Sequence, residues 1–238
     1  MAEFRDDEKY PNQPLTDVAC EVRFKGEMQV ESQRHLFWDE IRTQYPGILV
    51  PHMQEGQAAA LQHYKFRNPD SGRTVLVALN SLVLSEPKYS GHKEFIGEFS
   101  RLVQIFQKTY PKLGNIKRIG WRYVNVMPFS REDGLVPLGR ILRLEISFPG
   151  KIFDKTTALE LNWRGECHGG EVILRVAVIN QKETSGEALL LDIDFGKLDP
   201  GPWSDVRAVV ENGRKVCRGI FEDLITEDYR SYLRGEKI

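Results

Sequence analysis

The sequence predicts an α+β protein made of two pseudo-equivalent halves of largely antiparallel sheet, with long amphipathic helices packed on one face. Short segments in which apolar and polar residues alternate recur along the chain, which is the period of a half-buried strand. Two stretches, 92–110 and 204–224, instead carry apolar residues at the three- and four-residue spacing of a helix. The order of strands followed by a long helix occurs twice, and this order rather than any residue-level repeat predicts the two halves.

The chain of 238 residues is predicted to form one compact unit preceded by an arm. Residues 1–13 are charged, flanked by proline and without periodicity, which predicts a flexible N-terminal arm. The first α+β half is expected at 14–113 and the second at 114–238.

The first half opens with "PLTDVACEVRF" (14–24), whose alternation predicts a strand. The later elements are predicted from their spacing and from turn residues such as Pro46 and Asn68. In order, they are a helix (30–45), a hairpin of two strands (58–67 and 74–84) and a long helix (92–110).

The second half begins with "RIGWRYVNVM" (118–127), a predicted strand followed by a loop or short helix after Pro128. Ser204 and Thr226 are predicted to cap the two helices that end the chain, since a side-chain hydroxyl can accept from first-turn amides. Between the strand 118–127 and these two helices, the predicted strands are 141–148, 157–163, 171–180 and 187–195.

The charge balance disfavours nucleic acid as a partner, because 33 Lys and Arg residues face 34 Asp and Glu residues. Basic residues with aromatics in 63–68 and 117–123 leave single-stranded nucleic acid as an alternative. No apolar run approaches the roughly 20 residues that span a bilayer, and the charged N-terminus lacks the apolar core of a signal peptide. We therefore expect a cytoplasmic protein without a membrane contact.

Four landmarks resemble those of a sporadically distributed family of uncharacterised bacterial proteins of about this size. They are "PLTDVACEVRF", "RIGWRYVNVM", "LLLDIDF" and "IFEDLITEDYR", and the likeness extends over most of the chain. The family pattern has a glutamate after the proline–leucine pair, where this chain has Thr16–Asp17. The resemblance implies a bacterial cytoplasmic protein and no known activity.

Strand alternation predicts one sheet face that carries charges of both signs. If Ile119, Trp121 and Tyr123 face the helices, Arg118 and Arg122 face away from them. The same alternation in the neighbouring strands gives the predicted ligand- or partner-binding residues: Glu21, Arg23, Arg122, Asp192 and Asp194. Arg122 is predicted to bind a carboxylate or phosphate group of a ligand or partner. The alternative interpretation is that this face is solvated and that its charges form only weak salt bridges.

The sequence predicts no catalytic residue, metal or cofactor, since the common nucleotide and hydrolase motifs are absent. Cys167 and His168 lie in a glycine-rich segment that is typical of a hairpin turn. The leading hypothesis is a non-enzymatic binding protein that recognises a protein partner through a polar sheet face or a strand edge, as an accessory to a mobile or defence-associated locus. A homo-oligomer is compatible with it, and a metal-dependent hydrolase that uses Asp192 and Asp194 is the alternative.

Overall fold

The computed structural model describes residues 10–50, 63–145, 158–181 and 186–236. Their strands are β1 (Leu15–Phe24), β2 (Gly47–Leu49), β3 (Tyr64–Arg67), β4 (Thr74–Ala78), β5 (Ser81–Glu86), β6 (Ile116–Phe129), β7 (Glu160–Cys167), β8 (Gly170–Asn180) and β9 (Glu187–Leu198). Their helices are α1 (Met28–Ser32), α2 (Arg34–Ile41), α3 (His92–Thr109), α4 (Leu138–Ile141), α5 (Val206–Leu224) and α6 (Glu227–Leu233).

All nine described strands belong to one open, antiparallel sheet, in the order β2-β3-β4-β5-β1-β6-β9-β8-β7. The α+β class with a largely antiparallel sheet is thereby confirmed. The central pair joins β1 of the first predicted half to β6 of the second. Outward from that pair the order is β5, β4, β3 on one side and β9, β8, β7 on the other, and each half contributes one long helix.

The long helices α3 and α5 cover the sheet face that carries Phe24, Trp121 and Phe195. The α3 side chain Phe95 meets Trp121 edge-on, with ring centroids 5.3 Å apart. On α5, the Cys217 thiol donates to the carbonyl oxygen of Trp121 at 3.5 Å. These contacts build a continuous apolar core, in which the aromatic rings supply much of the buried area.

The segment 74–84, expected to be one strand, is part of a hairpin of β4 and β5. Ala78 pairs with Ser81, so Leu79 and Asn80 form a two-residue turn. Apolar residues on both sides of Asn80 concealed this turn in the sequence. The short edge strand β2 was not predicted either, because Pro46 and Gly47 look like the end of a helix.

Three further expectations were wrong: the helix over 30–45, the strand over 141–148 and the Ser204 cap. The helix expected over 30–45 divides at Gln33, whose backbone leaves the helical region (φ −125°, ψ 28°). Ile141 ends α4 and Leu142 forms only an isolated bridge, so the strand expected over 141–148 is absent from its described part. The Ser204 hydroxyl donates to Asp205 and does not cap α5, whereas Thr226 caps α6 by accepting from the Tyr229 amide at 3.1 Å.

Residues 10–13 of the predicted arm are held against the C-terminal helices, and residues 1–9 lie outside the described ranges. The buried Tyr10 hydroxyl donates to the Glu222 carboxylate at 2.9 Å. The Asn12 amide donates to the Leu233 carbonyl at 3.1 Å. In the described part of the chain, no helix combines the length and the apolar content that a membrane span requires.

The close approach of α5 to the sheet depends on Gly213. A Cβ atom here would lie 2.9 Å from Phe195 Cδ1 and 3.1 Å from Trp121 Cβ, both in fully buried side chains. We expect Gly213→Ala to lower the free energy of unfolding, since overpacking costs about 1–3 kcal/mol. Alanine recovers roughly 1 kcal/mol of helix propensity, which offsets only the lower end of that cost.

Gly219→Ala is the matched control in the same helix, because a Cβ at Gly219 has nothing within 4 Å. This variant should gain up to about 1 kcal/mol. Urea denaturation of both variants measures the difference. Equal stabilisation by the two alanines would show that α5 does not need glycine at 213.

Candidate binding surface

The structure places all five predicted residues on the sheet face opposite the long helices. Register explains the placement: Cys20 pairs with Trp121 in the core layer, so their neighbours in sequence point to the other side. Together with Arg118 they form what we call the charged sheet face: Glu21, Arg23, Arg118, Arg122, Asp192 and Asp194.

Arg118 is the centre of one ion cluster, although it was not among the predicted binding residues. Its Nη1 donates to Glu21 Oε2 at 3.1 Å, and its Nη2 donates to Asp194 Oδ1 at 2.6 Å. Glu21 also pairs with Arg23 at 2.8 Å. One arginine therefore ties β1 to β9 across the strand that lies between them.

The Arg118 guanidinium lies over two glycines. Gly120 and Gly196 are direct cross-strand partners in β6 and β9. A Cβ on Gly120 would overlap Arg118 Nη1, and a Cβ on Gly196 would lie 2.6 Å from Arg118 Nε. Glycine within a strand often marks a close approach, and this signal could have pointed to the site.

Arg122 and Asp192 form the second ion pair of the face. Nε donates to Oδ1 at 2.7 Å and Nη2 donates to Oδ2 at 2.6 Å, so the pairing is bidentate. A bidentate arginine–carboxylate pair fixes both side chains more firmly than a single contact does. Arg122, predicted as a clamp for an external anion, already holds an internal one.

The outermost side chains of the two clusters are cations, although in the Arg118–Asp194 pair the aspartate is the more exposed partner (29% against 17%). The side chains of Arg23 and Arg122 are 56% and 50% exposed, whereas those of Glu21 and Asp192 are 15% and 11% exposed. These two carboxylates thus lie beneath the guanidinium groups. A molecule that approaches this part of the face meets positive charge first.

Burial changes the pKa of two aspartates on this side of the sheet. It raises the pKa of Asp194, an effect that the charge of Arg118 partly opposes. It likewise raises the pKa of Asp17, which accepts a hydrogen bond from the Ser85 hydroxyl at 2.8 Å and lies near the Arg122 charge. These carboxylates are more easily protonated than solvated ones.

The alternative chemistries find less support in this geometry. Asp192 uses both oxygens on Arg122, and Asp194 uses one on Arg118, so the two carboxylates do not converge on a shared point. Within the described ranges, no group of three or more His, Cys, Asp or Glu side chains is placed to hold a metal ion. Of the rings that would have to stack on bases, those of Phe66, Trp121 and Tyr123 are buried, and the partly exposed Tyr64 ring is covered by the Arg34 guanidinium at 3.5 Å.

The Cys167–His168 pair lies in the β7–β8 hairpin turn, as predicted. His168 and Gly169 both adopt positive φ (50° and 71°), which is typical of a tight two-residue turn. The strand pairing runs up to Cys167 and Gly170 on either side of them. The described geometry therefore gives these residues a structural role.

No protein-family model matches the chain, and a search of curated proteins finds no significant match. The family resemblance of the four landmarks therefore remains a resemblance, and the site is interpreted from its own geometry.

Gly120→Ala tests whether the guanidinium of Arg118 occupies space that only glycine leaves free. The new Cβ should displace the guanidinium and break its contacts with Glu21 and Asp194, while stability changes little because the displaced group is the movable end of a side chain. NMR of the arginine side chains should show faster solvent exchange of the Arg118 Nη protons, which make these contacts. Gly165→Ala in β7, where a Cβ meets nothing within 4 Å, is the control and should leave this exchange unaltered. Slow exchange that persists in Gly120→Ala would contradict the close approach of the Arg118 guanidinium to Gly120.

Asp17→Asn should become increasingly stabilising relative to the native chain as pH rises. The raised pKa means that folded Asp17 binds its proton more tightly than the unfolded chain does. Its contribution is complete below the ordinary aspartate pKa of about 3.9 and is lost as pH rises through the raised value. Asparagine does not titrate, and its oxygen can still accept from Ser85.

Urea denaturation of both proteins between about pH 3 and pH 7 measures this effect. The comparison at the acid end is the internal control, since Asp17 is then neutral in both states. A difference in unfolding free energy that stays constant or falls with pH would contradict the buried position of Asp17.

Proposed function

We propose that this protein is a non-enzymatic binding protein that recognises a protein partner through the charged sheet face. The observation that carries the proposal is the outward display of Arg23 and Arg122 over less exposed carboxylates, those of Glu21 and Asp192. A face that was only solvated would gain little from holding its carboxylates beneath its arginines, because exposed pairs contribute about 0–1 kcal/mol each.

The arginine geometry favours a partner that presents acidic side chains. Asp192 engages Nε and Nη2 of Arg122, and among the described residues Nη1 has no acceptor. Nη1 can therefore donate to a carboxylate of the partner while the internal pair stays intact. Charge-assisted hydrogen bonds of this kind are roughly twice as strong as neutral ones.

The internal pairs also prepare the face for binding. Asp192 holds Arg122 in one orientation, and Glu21 does the same for Arg23. Ordering a long side chain on binding costs about 0.5–1.5 kcal/mol, and here much of that ordering precedes contact. The salt bridges thus act as supports for the binding groups.

A strand edge offers a second route for a protein partner or for another copy of this chain. In β2, Ile48 and Leu49 are 46% and 49% exposed, and no other described strand pairs with the outer side of β2. An exposed apolar edge can accept an added strand.

The proposal includes the setting that the landmark resemblance implies. We propose a bacterial cytoplasmic protein with an accessory role in a mobile or defence-associated locus. The mirrored strand order around the β1–β6 pair supports an internal duplication as the origin of the two halves.

Arg23→Glu is the cleanest test of the charged sheet face. Glu21 keeps Arg118 as its partner in this variant, so its carboxylate is not left without a cation. Arg122→Ala is less informative, because it leaves the nearly buried Asp192 without its cation, and breaking such a pair is strongly destabilising. We expect Arg23→Glu to weaken partner binding about tenfold or more and to leave the melting temperature nearly unchanged.

The matched control is Arg207→Glu on α5, which makes the same charge reversal at a 64% exposed arginine on the helix side. Proteins captured from the source cell are quantified with the native chain and both variants. A partner lost from Arg23→Glu and retained by Arg207→Glu is then purified and titrated at increasing salt, which should weaken binding. Equal capture by the two variants would refute the charged sheet face as the contact.

A further inference from the structure

The side of the sheet that carries Arg23 and Arg122 continues onto β3, where two more cations lie. Two rows of directly paired residues connect β3 with β1 and β6. One row consists of Lys65, Leu76, Val83 and Glu21, and the other of Arg67, Thr74, Ser85, Ala19 and Arg122. Residues that pair directly across strands point to the same side of a sheet, so Lys65 and Arg67 share the side of Arg122.

Lys65 and Arg67 are exposed, whereas Phe66 between them is buried on the helix side. Within the described ranges, neither of these two cations forms an ion pair or a side-chain hydrogen bond. Arg23 and Arg122 differ in this respect, because each is held by a carboxylate. The strand β3 thus adds two positive charges to this side of the sheet and no negative charge.

An uncharged strip separates the cations of β3 from those of β1 and β6. Leu76 of β4 and Val83 of β5 pair directly and are half-buried, and we call these two residues the apolar floor. The other members of the two rows on these strands are hydroxyl residues. Glu21 is the carboxylate of the rows, and it is already paired with Arg118.

The distance between the two groups of cations matches the width of an α-helix. Adjacent strands lie about 4.8 Å apart, so the backbones of β3 and β1, which have β4 and β5 between them, are separated by about 14 Å. An α-helix with its side chains is about 10–12 Å across. A helix lying over β4 and β5 would therefore contact the apolar floor and have cations on both flanks.

We propose that the partner docks an acidic amphipathic helix on the apolar floor, an inference that rests on the proposed function of the charged sheet face. Residues three or four apart lie on one side of a helix, so an apolar stripe can cover the floor while acidic residues lie beside it. Carboxylates on one flank pair with Lys65 and Arg67. Carboxylates on the other flank pair with Arg23 and with Nη1 of Arg122.

Single-stranded nucleic acid fits the same charges less well. Its bases need exposed rings on which to stack, and the floor between the cations is aliphatic. The ring of Phe66 belongs to the core on the other side of the sheet. An amphipathic helix, by contrast, uses both the aliphatic floor and the cations beside it.

The test uses the purified full chain and a fluorescent synthetic peptide of about 18 residues, which is long enough to form a helix. This striped peptide has leucines at every third or fourth position and glutamates on both flanks. A scrambled peptide of the same composition lacks the stripe, and oligodeoxythymidine is the nucleic-acid probe. Fluorescence anisotropy should show saturable binding of the striped peptide that weakens with salt. The scrambled peptide and the oligonucleotide should bind about tenfold more weakly or worse.

Arg67→Glu separates this inference from the proposed function. Because Arg67 has no ion pair within the described ranges, its reversal leaves no carboxylate without a cation. We expect about a tenfold loss of affinity for the striped peptide and a nearly unchanged melting temperature. Arg207→Glu, on the helix side, is the matched control and should bind normally. Leu76→Thr keeps a good strand former at the floor, and its smaller apolar area should weaken binding several-fold.

Full binding by Arg67→Glu together with lost binding by Arg23→Glu would overturn the helix proposal and leave the charged sheet face as the partner site. Full binding by both reversals would place the peptide elsewhere and would also overturn it. The same holds if the striped peptide shows no saturable binding, if the scrambled peptide binds equally well, or if the oligonucleotide binds more tightly. The capture experiment with Arg23→Glu and Arg207→Glu tests the proposed function independently of these peptides.

Discussion

The antiparallel pairing of β1 with β6 is the interaction on which the rest of the structure depends. It is the point where the two predicted halves meet, and it extends from Leu15 and Asn125 to Phe24 and Ile116. The pairing sets which residues of each strand face the helices. A slip of one residue would move Trp121 out of the core and bring Arg122 into it, and the burial of both Trp121 and Cys20 resists that slip.

Because of this pairing, the two faces of β6 belong to different parts of the structure. On one side, Trp121 and Tyr123 join the aromatic core beneath α3 and α5. On the other side, Arg118 and Arg122 organise the carboxylates of β1 and β9. Adjacent residues therefore contribute to different sites, and the packing behind the strand keeps the charged side chains in place without touching them. A rigid support of this kind is what an ordered binding surface requires.

The sequence could predict which side chains share a face, because alternation along a strand has a fixed period of two. Glu21, Arg122 and Asp192 were placed by that rule alone. It could not predict which charged side chains form ion pairs, because the central role of Arg118 depends on the register that sets Gly120 against Gly196. The break at Gln33 was concealed for a related reason, since neither glycine nor proline marks it. The proximity of Arg214 and Tyr89 was also beyond reach, because it arises only when α5 and the segment before α3 pack onto the sheet.

The central position of β1 and β6 also has a kinetic consequence. Cys20 and Trp121 are paired although about a hundred residues separate them in the chain, and contacts between such distant segments are expensive in loop entropy. The hairpins β4–β5 and β7–β8 can form from neighbouring residues, whereas the contact between Glu21 and Arg118 requires the two halves to have met. The charged surface is therefore assembled by a non-local step of folding. A partner that reads this surface would distinguish the finished chain from one that is still being synthesised, because the first half alone lacks Arg118 and Asp194.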